Sequence, residues 1–246
     1  MSGVAVVTGA SSGIGAATAR RLVKEGFQVV IGARRPDRLS QVADEIGATA
    51  VPLDVTDAAS VDAFSAGIEH CDVLVNNAGG ALGLDPVEQA AVSDWATMYD
   101  ANVLGALRMT QALLPQLEAD GGGHLVMMGS WAAHEWYVGG AGYNAAKTAL
   151  RAMTQVLRME LVGRPIRITE IDPGMVETEF SVVRFGGDEA RAAQVYAGMT
   201  PLSADDVADC VAWAVTRPAH VNIDEIVLKP IDQATTRHVH RRSEST

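Results

Sequence analysis

A serine, a tyrosine and a lysine stand in one short segment, at positions where they could act on a carbonyl or an alcohol. Ser130 is followed by Tyr143 and, four residues later, by Lys147. If the tyrosine begins a helix, its side chain and that of the lysine lie one turn apart on the same face. We expect the ammonium to stabilise the phenolate and so lower the pKa of the tyrosine from about 10 towards neutrality. Such a tyrosine could exchange a proton with a substrate oxygen, which the serine hydroxyl would also bind.

The same spacing is compatible with a tyrosine that only packs under a lysine stem, so the chemistry needs an electron carrier elsewhere. A candidate follows the first apolar run, where Thr8 and Gly9 are followed by the letters ASSGIG. Glycines that end a first strand and open a helix let the backbone approach a pyrophosphate, which free N–H groups of the helix N-terminus bind. A P-loop is excluded, because no Gly-Lys-Ser/Thr follows. The segment predicts a dinucleotide-binding loop formed by Gly9, Ser11, Ser12, Gly13, Ile14 and Gly15.

Short apolar runs alternate with helical patterns along the chain and provide the scaffold for this chemistry. The runs predict seven strands, at residues 4–7, 28–31, 50–53, 72–75, 124–128, 165–171 and 223–228. The segments between them predict helices at residues 14–24, 36–47, 57–69, 95–117, 142–162 and 203–215, with a short amphipathic part at 189–196. Ser93 or Asp94 is the expected cap of the helix at 95–117. Regular alternation favours a doubly wound, parallel α/β sheet of the Rossmann type, in a single domain over 1–246 with a flexible tail at 235–246.

The composition limits the classes of function. The 246 residues carry a formal net charge of -11, with 48% hydrophobic and 20% charged residues. So acidic a protein is a poor partner for nucleic acid or for an anionic membrane surface. Cys71 and Cys210 are distant in sequence and have no metal-like spacing, so we expect neither a disulfide nor a metal site. The sequence shows no leader-like start and no run long enough to span a membrane, so a cytoplasmic location is expected.

The glycines of the predicted loop are spaced G-x-x-x-G-x-G, and here the sequence resembles the single-domain branch of the short-chain dehydrogenase/reductase family. That family carries T-G-x-x-x-G-x-G at this place. Further matches follow in order along nearly the whole chain, at Asp54-Val55, Asn76-Asn77-Ala78-Gly79, Asn102, Ser130, Tyr143, Lys147, Pro173-Gly174 and Thr178. The resemblance implies an oxidoreductase with a nicotinamide cofactor and a catalytic set of Asn102, Ser130, Tyr143 and Lys147.

The resemblance also implies a role for each matching residue. Lys147 would bind the ribose of the cofactor, Ser130 would orient the carbonyl, and Asn102 would hold a water that connects the lysine to solvent. Asp54 and Val55 would line the adenine. The nicotinamide would lie near Asn76, Ala78, Gly79, Pro173, Gly174, Val176 and Thr178.

The end of the second predicted strand indicates which nicotinamide cofactor is used. NAD enzymes of this fold usually place an acidic residue there to bind the ribose 2′-hydroxyl. Here that position is Ala33, and Arg34 and Arg35 follow it. Guanidinium groups suit a 2′-phosphate, so we predict NADP(H). The alternative is that both arginines face solvent beside Asp37.

The predicted function is therefore an NADP(H)-dependent oxidoreductase that interconverts a carbonyl and an alcohol, with Tyr143 as general acid and base. One alternative is an NADP-binding redox sensor on the same fold without turnover, although such proteins usually lose the tyrosine or the lysine. A second is a sugar-nucleotide epimerase or dehydratase, which would need a larger substrate domain and another glycine spacing.

Residues between the serine and the tyrosine, together with the segment after Gly174, are expected to contact the substrate. The candidates are Trp131, His134, Trp136 and Arg184. The runs at 179–188 and 218–223 resemble the branch that contains NADP-dependent serine and 3-hydroxy acid dehydrogenases, which suggests that Arg184 binds a carboxylate. Alternatively the tryptophans only pack, the histidine is an exposed loop residue, and the arginine pairs with Asp188 or Glu189.

The expected partners are a small aldehyde, ketone or hydroxy acid and a second copy of the chain. In the family that the sequence resembles, the helices that match residues 95–117 and 142–162 pair across two-fold axes. We therefore expect a homodimer or a homotetramer.

Overall fold

The structure is a computed structural model, and residues 3–242 are described. They contain a seven-stranded sheet in which all neighbouring strands are parallel, in the order β3-β2-β1-β4-β5-β6-β7. This confirms the predicted doubly wound α/β fold. The strands are β1 (Val4–Thr8), β2 (Gln28–Ala33), β3 (Thr49–Pro52), β4 (Val73–Asn76), β5 (Gly123–Met128), β6 (Ile166–Pro173) and β7 (Glu225–Leu228).

Helices cover both faces of the sheet, and successive residues of a strand point to opposite layers. The α-helices are α1 (Gly13–Lys24), α2 (Pro36–Ile46), α3 (Ala58–Ser65), α4 (Val92–Tyr99), α5 (Gly105–Glu118), α6 (Ala141–Glu160), α7 (Phe180–Arg184), α8 (Glu189–Gln194) and α9 (Ala204–Val215). Val7 packs in a core formed with α1, α2 and α9, whereas Val6 packs against α3, α5 and α6. Each buried leucine in these layers contributes roughly 1.5–3 kcal/mol to folding.

The helices α2 and α9 have the terminal residues that the sequence predicts. Pro36 occupies the first turn of α2, and Gly47, with φ of 71°, ends that helix in a conformation that glycine adopts without strain. The Ser203 hydroxyl accepts the N–H of Asp206, whose carboxylate accepts the N–H of Ser203. This capping box fixes the start of α9.

The predicted helix at 95–117 is wrong in two respects. It begins earlier, at Val92, with Ala91 rather than Ser93 or Asp94 in the capping position. It is also interrupted by one π-helical turn, Asp100–Leu104, which separates α4 from α5. The short helix α7 was not predicted, and β7 begins two residues later than expected. Other boundaries lie within a few residues of the predicted ones.

The described part of the C-terminal segment forms hydrogen bonds with the rest of the protein. It belongs to the tail at 235–246 that the sequence predicts to be flexible. His240 donates its backbone N–H to Asp232, and Arg242 donates its own to Gly198 and a side-chain N–H to the Asp232 carboxylate at 2.8 Å. Positions 243–246 lie outside the described residues. Among the described helices, none has the length and apolar character needed to cross a membrane.

Candidate active site

The candidate site lies at the carboxyl ends of the strands, where β1 and β4 are neighbours although they are not consecutive. Such a switch in strand order leaves a crevice between the loops that follow the two strands. The loop after β1 turns at Gly9, whose φ is 69° and where a Cβ would come within 2.8 Å of the Cα of Ala78. At Gly15 a Cβ would lie 2.5 Å from the carbonyl oxygen of Gly9. Both positions therefore require glycine.

Two residues hold the loops after β1 and β4 together. The Thr8 hydroxyl accepts the backbone N–H groups of Asn77, at 3.0 Å, and of Ala78, at 2.9 Å. The Asn77 amide donates to the carbonyl of Thr8 at 2.9 Å. Sequence analysis quoted these residues but gave them no role. Asn76, predicted to bind the cofactor, is buried and donates to the Thr110 hydroxyl, so its side chain joins β4 to α5 instead.

The predicted phosphate-binding arginine lies over the glycine loop. Arg35 donates to the hydroxyl of Ser11 at 3.0 Å and to that of Ser12 at 2.6 Å. It also pairs with the Glu179 carboxylate at 2.9 Å, and Arg38 reaches the other oxygen of that carboxylate at 2.6 Å. Arg35 therefore does not simply face solvent beside Asp37. The hydroxyls and guanidinium groups form a cluster that matches the donors a phosphate needs.

Arg34 lies near Asp54, on whose carboxylate its charge acts. Burial pushes the pKa of Asp54 upwards, but two hydrogen bonds from Thr56 and the charge of Arg34 hold it below its ordinary value. The carboxylate accepts the hydroxyl of Thr56 at 2.7 Å. Its neighbour Val55 is buried and packs against Gly105 at the start of α5. The two residues thus occupy the wall where the family resemblance places the adenine.

Asn102 sits in the π-helical turn between α4 and α5. Its amide donates to the carbonyls of Gly80, at 2.8 Å, and Met98, at 2.7 Å, and its oxygen accepts the N–H of Gly80 at 3.2 Å. A π turn opens the backbone ladder by one residue, which is why an asparagine here can point out of the helix and contact the loop after β4. That contact requires Gly79, where a Cβ would lie 2.4 Å from the asparagine oxygen.

Ser130 follows β5 and caps a single 3₁₀ turn, Trp131–Ala133. Its hydroxyl accepts the N–H of Ala132 at 3.1 Å, and its own N–H donates to the carboxylate of Asp172 at 2.7 Å. Asp172, from β6, was not singled out by sequence analysis. An acidic residue at the end of an apolar strand, directly before the predicted Pro-Gly turn, is the signal that could have identified it.

Tyr143 lies in the first turn of α6 and is 9% exposed. Its ring meets the edge of Phe180 at 5.5 Å between centroids. Burial raises the pKa of the phenol well above its ordinary value, while a hydrogen bond with Ser130 opposes that rise. The predicted lowering of this pKa is therefore wrong for this structure, because desolvation outweighs the neighbouring charges. The phenol is protonated at neutral pH.

Lys147 lies one turn after Tyr143 on the same helix face, as predicted. Its ammonium is buried, 5.8 Å from the centroid of the tyrosine ring, and donates to the carbonyl of Met128 at 2.7 Å. Burial lowers the pKa of the lysine to about 8, and the charges of Asp172 and Glu170 oppose that shift. The lysine therefore titrates close to physiological pH.

The loop after β6 closes over the glycine loop. Pro173 ends the strand, and Gly174 donates its N–H to the carbonyl of Leu228 at 2.8 Å. Val176 pairs with Leu202, and Thr178 lies so close to Gly13 that a Cβ there would touch it at 3.4 Å. The predicted nicotinamide-side residues of this loop thus lie beside the predicted pyrophosphate loop.

Arg184, at the end of α7, lies beside Tyr143. Its guanidinium carbon is 5.8 Å from the centroid of the Tyr143 ring, and the group donates to the carbonyl of Gly83 and the hydroxyl of Tyr137, both at 2.9 Å. The alternative pairing with Asp188 or Glu189 is not observed. A cleft beside Tyr143 and Arg184 is lined by residues that sequence analysis missed: Leu82, Asp85, Ala90, Ala91, Asp94, Trp95, Met98, Gly139 and Gly142.

The other three substrate candidates do not line this cleft. Trp131 stacks on His134 at 5.1 Å, with the Lys229 ammonium 4.0 Å from its own ring centroid. His134 turns inward and meets Asp172 at 3.0 Å, so it is not an exposed loop residue. Trp136 is 65% exposed. Spacing alone could not show these orientations, because the segment between Ser130 and α6 is largely irregular.

The arrangement places a protonated phenol and a guanidinium in one cleft, with a serine hydroxyl bonded to the phenol and a glycine loop of the kind that binds anions nearby. These groups can bind a polarised oxygen, give it a proton and hold a negatively charged group nearby. The sequence and the fold were compared with those of known proteins. The family model described as short chain dehydrogenase matches residues 3–186.

The chain belongs to the short-chain dehydrogenase family. It is 43% identical over 240 residues to the serine 3-dehydrogenase of Agrobacterium fabrum, covering 95% of this chain and 96% of that one. It is 40% identical to an NADP-dependent 3-hydroxy acid dehydrogenase of Escherichia coli, covering 97% of this chain and all of the other. A solved structure described as the closed form of serine dehydrogenase complexed with NADP+ superimposes with a TM-score of 0.92, at 39% identity over 97% of this chain and 100% of that chain. This short-chain dehydrogenase is therefore an oxidoreductase, and the predicted family is confirmed.

Proposed function

We propose that this short-chain dehydrogenase uses NADP(H) to interconvert a hydroxyl and a carbonyl on a small 3-hydroxy acid, with Tyr143 as general acid and base. The observation that carries the proposal is the position of Arg184 beside the Tyr143 ring. It places a cation for a carboxylate within reach of the group that would exchange a proton with the substrate oxygen. The relatives that act on serine and on 3-hydroxy acids support the same substrate class.

The residues present fit a dinucleotide with a 2′-phosphate. Gly9 and Gly15 leave no space for a side chain, and α1 has no acidic residue in its first turn, so a pyrophosphate would meet free N–H groups without repulsion. Ser11, Ser12 and Arg35 would bind the 2′-phosphate, and Arg34 would lie beside it. Asp54 and Val55 would hold the adenine. Ala78, Gly79, Pro173, Gly174, Val176 and Thr178 would surround the nicotinamide, and Lys147 its ribose.

Each side chain of the site has a separate role in the proposed reaction. When bound, the dinucleotide supplies or accepts the hydride. Tyr143 gives its phenolic proton to the carbonyl oxygen in reduction, for which its protonated state at neutral pH is suited. Ser130 donates a hydrogen bond to the same oxygen as negative charge develops on it. Lys147, with a pKa of about 8, can return a proton towards the tyrosine, and Asn102 would hold the water that connects the lysine to solvent.

The substrate cleft carries both signs of charge. Arg184 contributes the cation, and Asp85 and Asp94 also line the cleft. A carboxylate would therefore bind on the side of the tyrosine, and a positively charged or hydrogen-bond-donating group would face the aspartates. This distribution suits a 3-hydroxy acid better than an uncharged aldehyde or ketone.

The experiment follows NADPH absorbance with a panel of 3-hydroxy acids, their keto acids, and matched neutral alcohols and ketones. We expect turnover with the acids, and lower efficiency with the neutral compounds and with NADH. Tyr143→Phe should reduce kcat roughly 10²- to 10⁴-fold, because it removes the proton donor, while NADPH still binds. Measuring NADPH affinity in the same variant controls for misfolding.

Two outcomes would contradict the proposal. Retention of most activity by Tyr143→Phe would remove the tyrosine from the mechanism. NADPH binding without turnover of any compound would favour the redox-sensor alternative.

The predicted homodimer or homotetramer and the cytoplasmic location form part of the proposal. Apolar Val156 and Met159, exposed on α6, suit the former, and the free state of Cys71 and Cys210 suits the latter.

A further inference from the structure

A buried carboxylate lies directly behind the serine of the candidate site. Asp172, near the end of β6, has no exposed surface. One of its oxygens accepts the backbone N–H of Ser130 at 2.7 Å, and the other contacts Nε2 of His134 at 3.0 Å. The proposed mechanism uses neither Asp172 nor His134, although both are only one contact away from the serine.

The contacts continue outward to the surface. Nε2 of His134 is also 3.2 Å from the Glu225 carboxylate on β7, whose other oxygen pairs with Arg151 of α6 at 3.1 Å. His134 is held flat against Trp131, so its ring orientation is fixed. A continuous series of polar contacts thus runs from Ser130 through Asp172, His134 and Glu225 to Arg151.

Charged groups from several elements face this carboxylate. Glu170 lies on the same strand, Glu225 on β7, and Tyr143, Lys147 and Arg151 on α6. Burial raises the pKa of Asp172, and Glu225 raises it further, whereas the hydrogen bond from His134 and that from the Ser130 N–H lower it. The balance between ionised and neutral Asp172 therefore depends on His134.

We propose that Asp172 is a positioning residue for Ser130, and that His134 maintains the orientation and the negative charge which this role requires. An ionised carboxylate accepts a backbone N–H more strongly than a neutral one. That hydrogen bond fixes the turn at Ser130, and hence the direction of its hydroxyl relative to Tyr143. The proposal rests on the proposed function for the part that Ser130 plays in the reaction.

This assignment gives His134 a role different from substrate binding. Nε2 of His134 contacts the carboxylates of Asp172 on β6 and Glu225 on β7, so the imidazole ring is turned away from the cleft beside Arg184. A ring nitrogen of His134 and one carboxylate oxygen each of Asp172 and Glu225 lie within 4.8 Å of one another, close enough to coordinate a metal ion. The two contacts of Nε2 account for the cluster without one.

The test compares paired variants. Asp172→Asn keeps an oxygen that can accept the Ser130 N–H, whereas Asp172→Ala removes it. We expect Asp172→Ala to lower kcat about 10- to 100-fold, because the alignment of the serine is lost, with KM for NADPH and substrate changed by less than about threefold, because Asp172 itself does not line the cleft. Asp172→Asn should retain a larger part of kcat than Asp172→Ala.

The histidine variants test the charge. His134→Ala should move the acidic limb of the kcat profile to higher pH, because the Asp172 pKa rises when its partner is removed. His134→Gln, which can still donate a hydrogen bond, should restore part of the profile, and exposed His220→Ala serves as the control. A rise in substrate KM with an unchanged pH profile would overturn the proposal, as would a loss of activity after dialysis against a chelator.

A second measurement is independent of turnover. The amide proton of Ser130, followed by NMR, should lie downfield and titrate with Asp172. Both features should be lost in Asp172→Ala, whereas the titration alone should be lost in Asp172→Asn. An unchanged Ser130 amide signal in Asp172→Ala would contradict the proposal even if the enzyme had no activity on the panel. Absence of wild-type turnover, with the signal behaving as expected, would instead contradict the proposed function alone.

Discussion

At the scale of single residues, Arg35 has a contact set that points to one ligand group. Arg35 contacts the hydroxyls of Ser11 and Ser12 in the glycine loop and the carboxylate of Glu179. Arg38, an exposed residue of α2, contacts only the same carboxylate among these groups. The two arginines are therefore a matched pair. They share a salt-bridge partner, but only Arg35 has a place in the predicted phosphate site.

We expect Arg35→Ala to weaken NADPH binding about 10- to 100-fold, which corresponds to the loss of charge-assisted hydrogen bonds. Binding of NADH, which has no 2′-phosphate, should change little. Arg38→Ala should leave the ratio of the two affinities close to that of the wild type. Titration calorimetry with both cofactors measures the effect, and an equal loss for NADH and NADPH in Arg35→Ala would contradict it.

Sequence spacing was sufficient to predict that Tyr143 and Lys147 share one helix face and that a glycine loop joins β1 to α1, because helices and tight turns have fixed geometry. It could not show where His134 points, since the direction of a side chain in an irregular segment depends on distant strands. The expected pKa of Tyr143 was wrong for a related reason. Spacing shows that a lysine is near, but it does not show that the phenol is buried or that the ammonium contacts Met128.

At the scale of elements, the side-chain cap predicted for α9 is present, whereas the one predicted for the helix at 95–117 is absent. Ser203 forms a reciprocal capping box at α9, and the sequence predicted that start. Ser93 was an equally good candidate from sequence, but it lies inside the first turn of α4, and its side chain caps nothing there. The difference arises because the chain enters α4 earlier, at Val92.

Ser203→Ala should therefore destabilise the protein by about 1 kcal/mol, the usual value for loss of an N-cap side chain. Ser93→Ala should change the free energy of unfolding by less than about 0.5 kcal/mol. Denaturant titrations of both variants measure the difference. Equal effects of the two substitutions would show that the capping box does not stabilise α9.

The π turn at Asp100–Leu104 is the element that sequence patterns did not reveal. Its residues are as helical in type as their neighbours, so hydrophobic periodicity runs through it without a break. The turn exists because Asn102 is tied on both sides, to Gly80 in the loop after β4 and to Met98 in its own helix. The parallel, doubly wound sheet, in contrast, follows from the alternation of strands and helices and was predicted.

At the scale of the whole molecule, buried acidic groups couple stability to pH. Glu170 is fully buried on β6 and neither carboxylate oxygen has a partner among the described residues. Burial, together with Asp172 and Glu225, raises its pKa from an ordinary value of 4.5 to about 8. The folded state therefore retains a proton that the unfolded chain loses, and stability falls as pH rises from about 4.5 to about 8.

Glu170→Gln should remove this dependence. Relative to the wild type, we expect the variant to gain a few kcal/mol of unfolding free energy at pH 8 and little at pH 5, since each unit of pKa corresponds to about 1.4 kcal/mol. Exposed Glu88→Gln is the control and should behave like the wild type. If the difference between Glu170→Gln and the wild type were the same at both pH values, Glu170 would not be the source.

The ion pairs that Glu179 forms with Arg35 and Arg38 affect how cofactor binding responds to salt. If Arg35 binds the 2′-phosphate as proposed, one anion replaces another on a guanidinium that is already paired. Added salt weakens the ion pair that must break as well as the one that forms. Cofactor affinity should then vary less with ionic strength than in a pocket whose arginines have no internal partner.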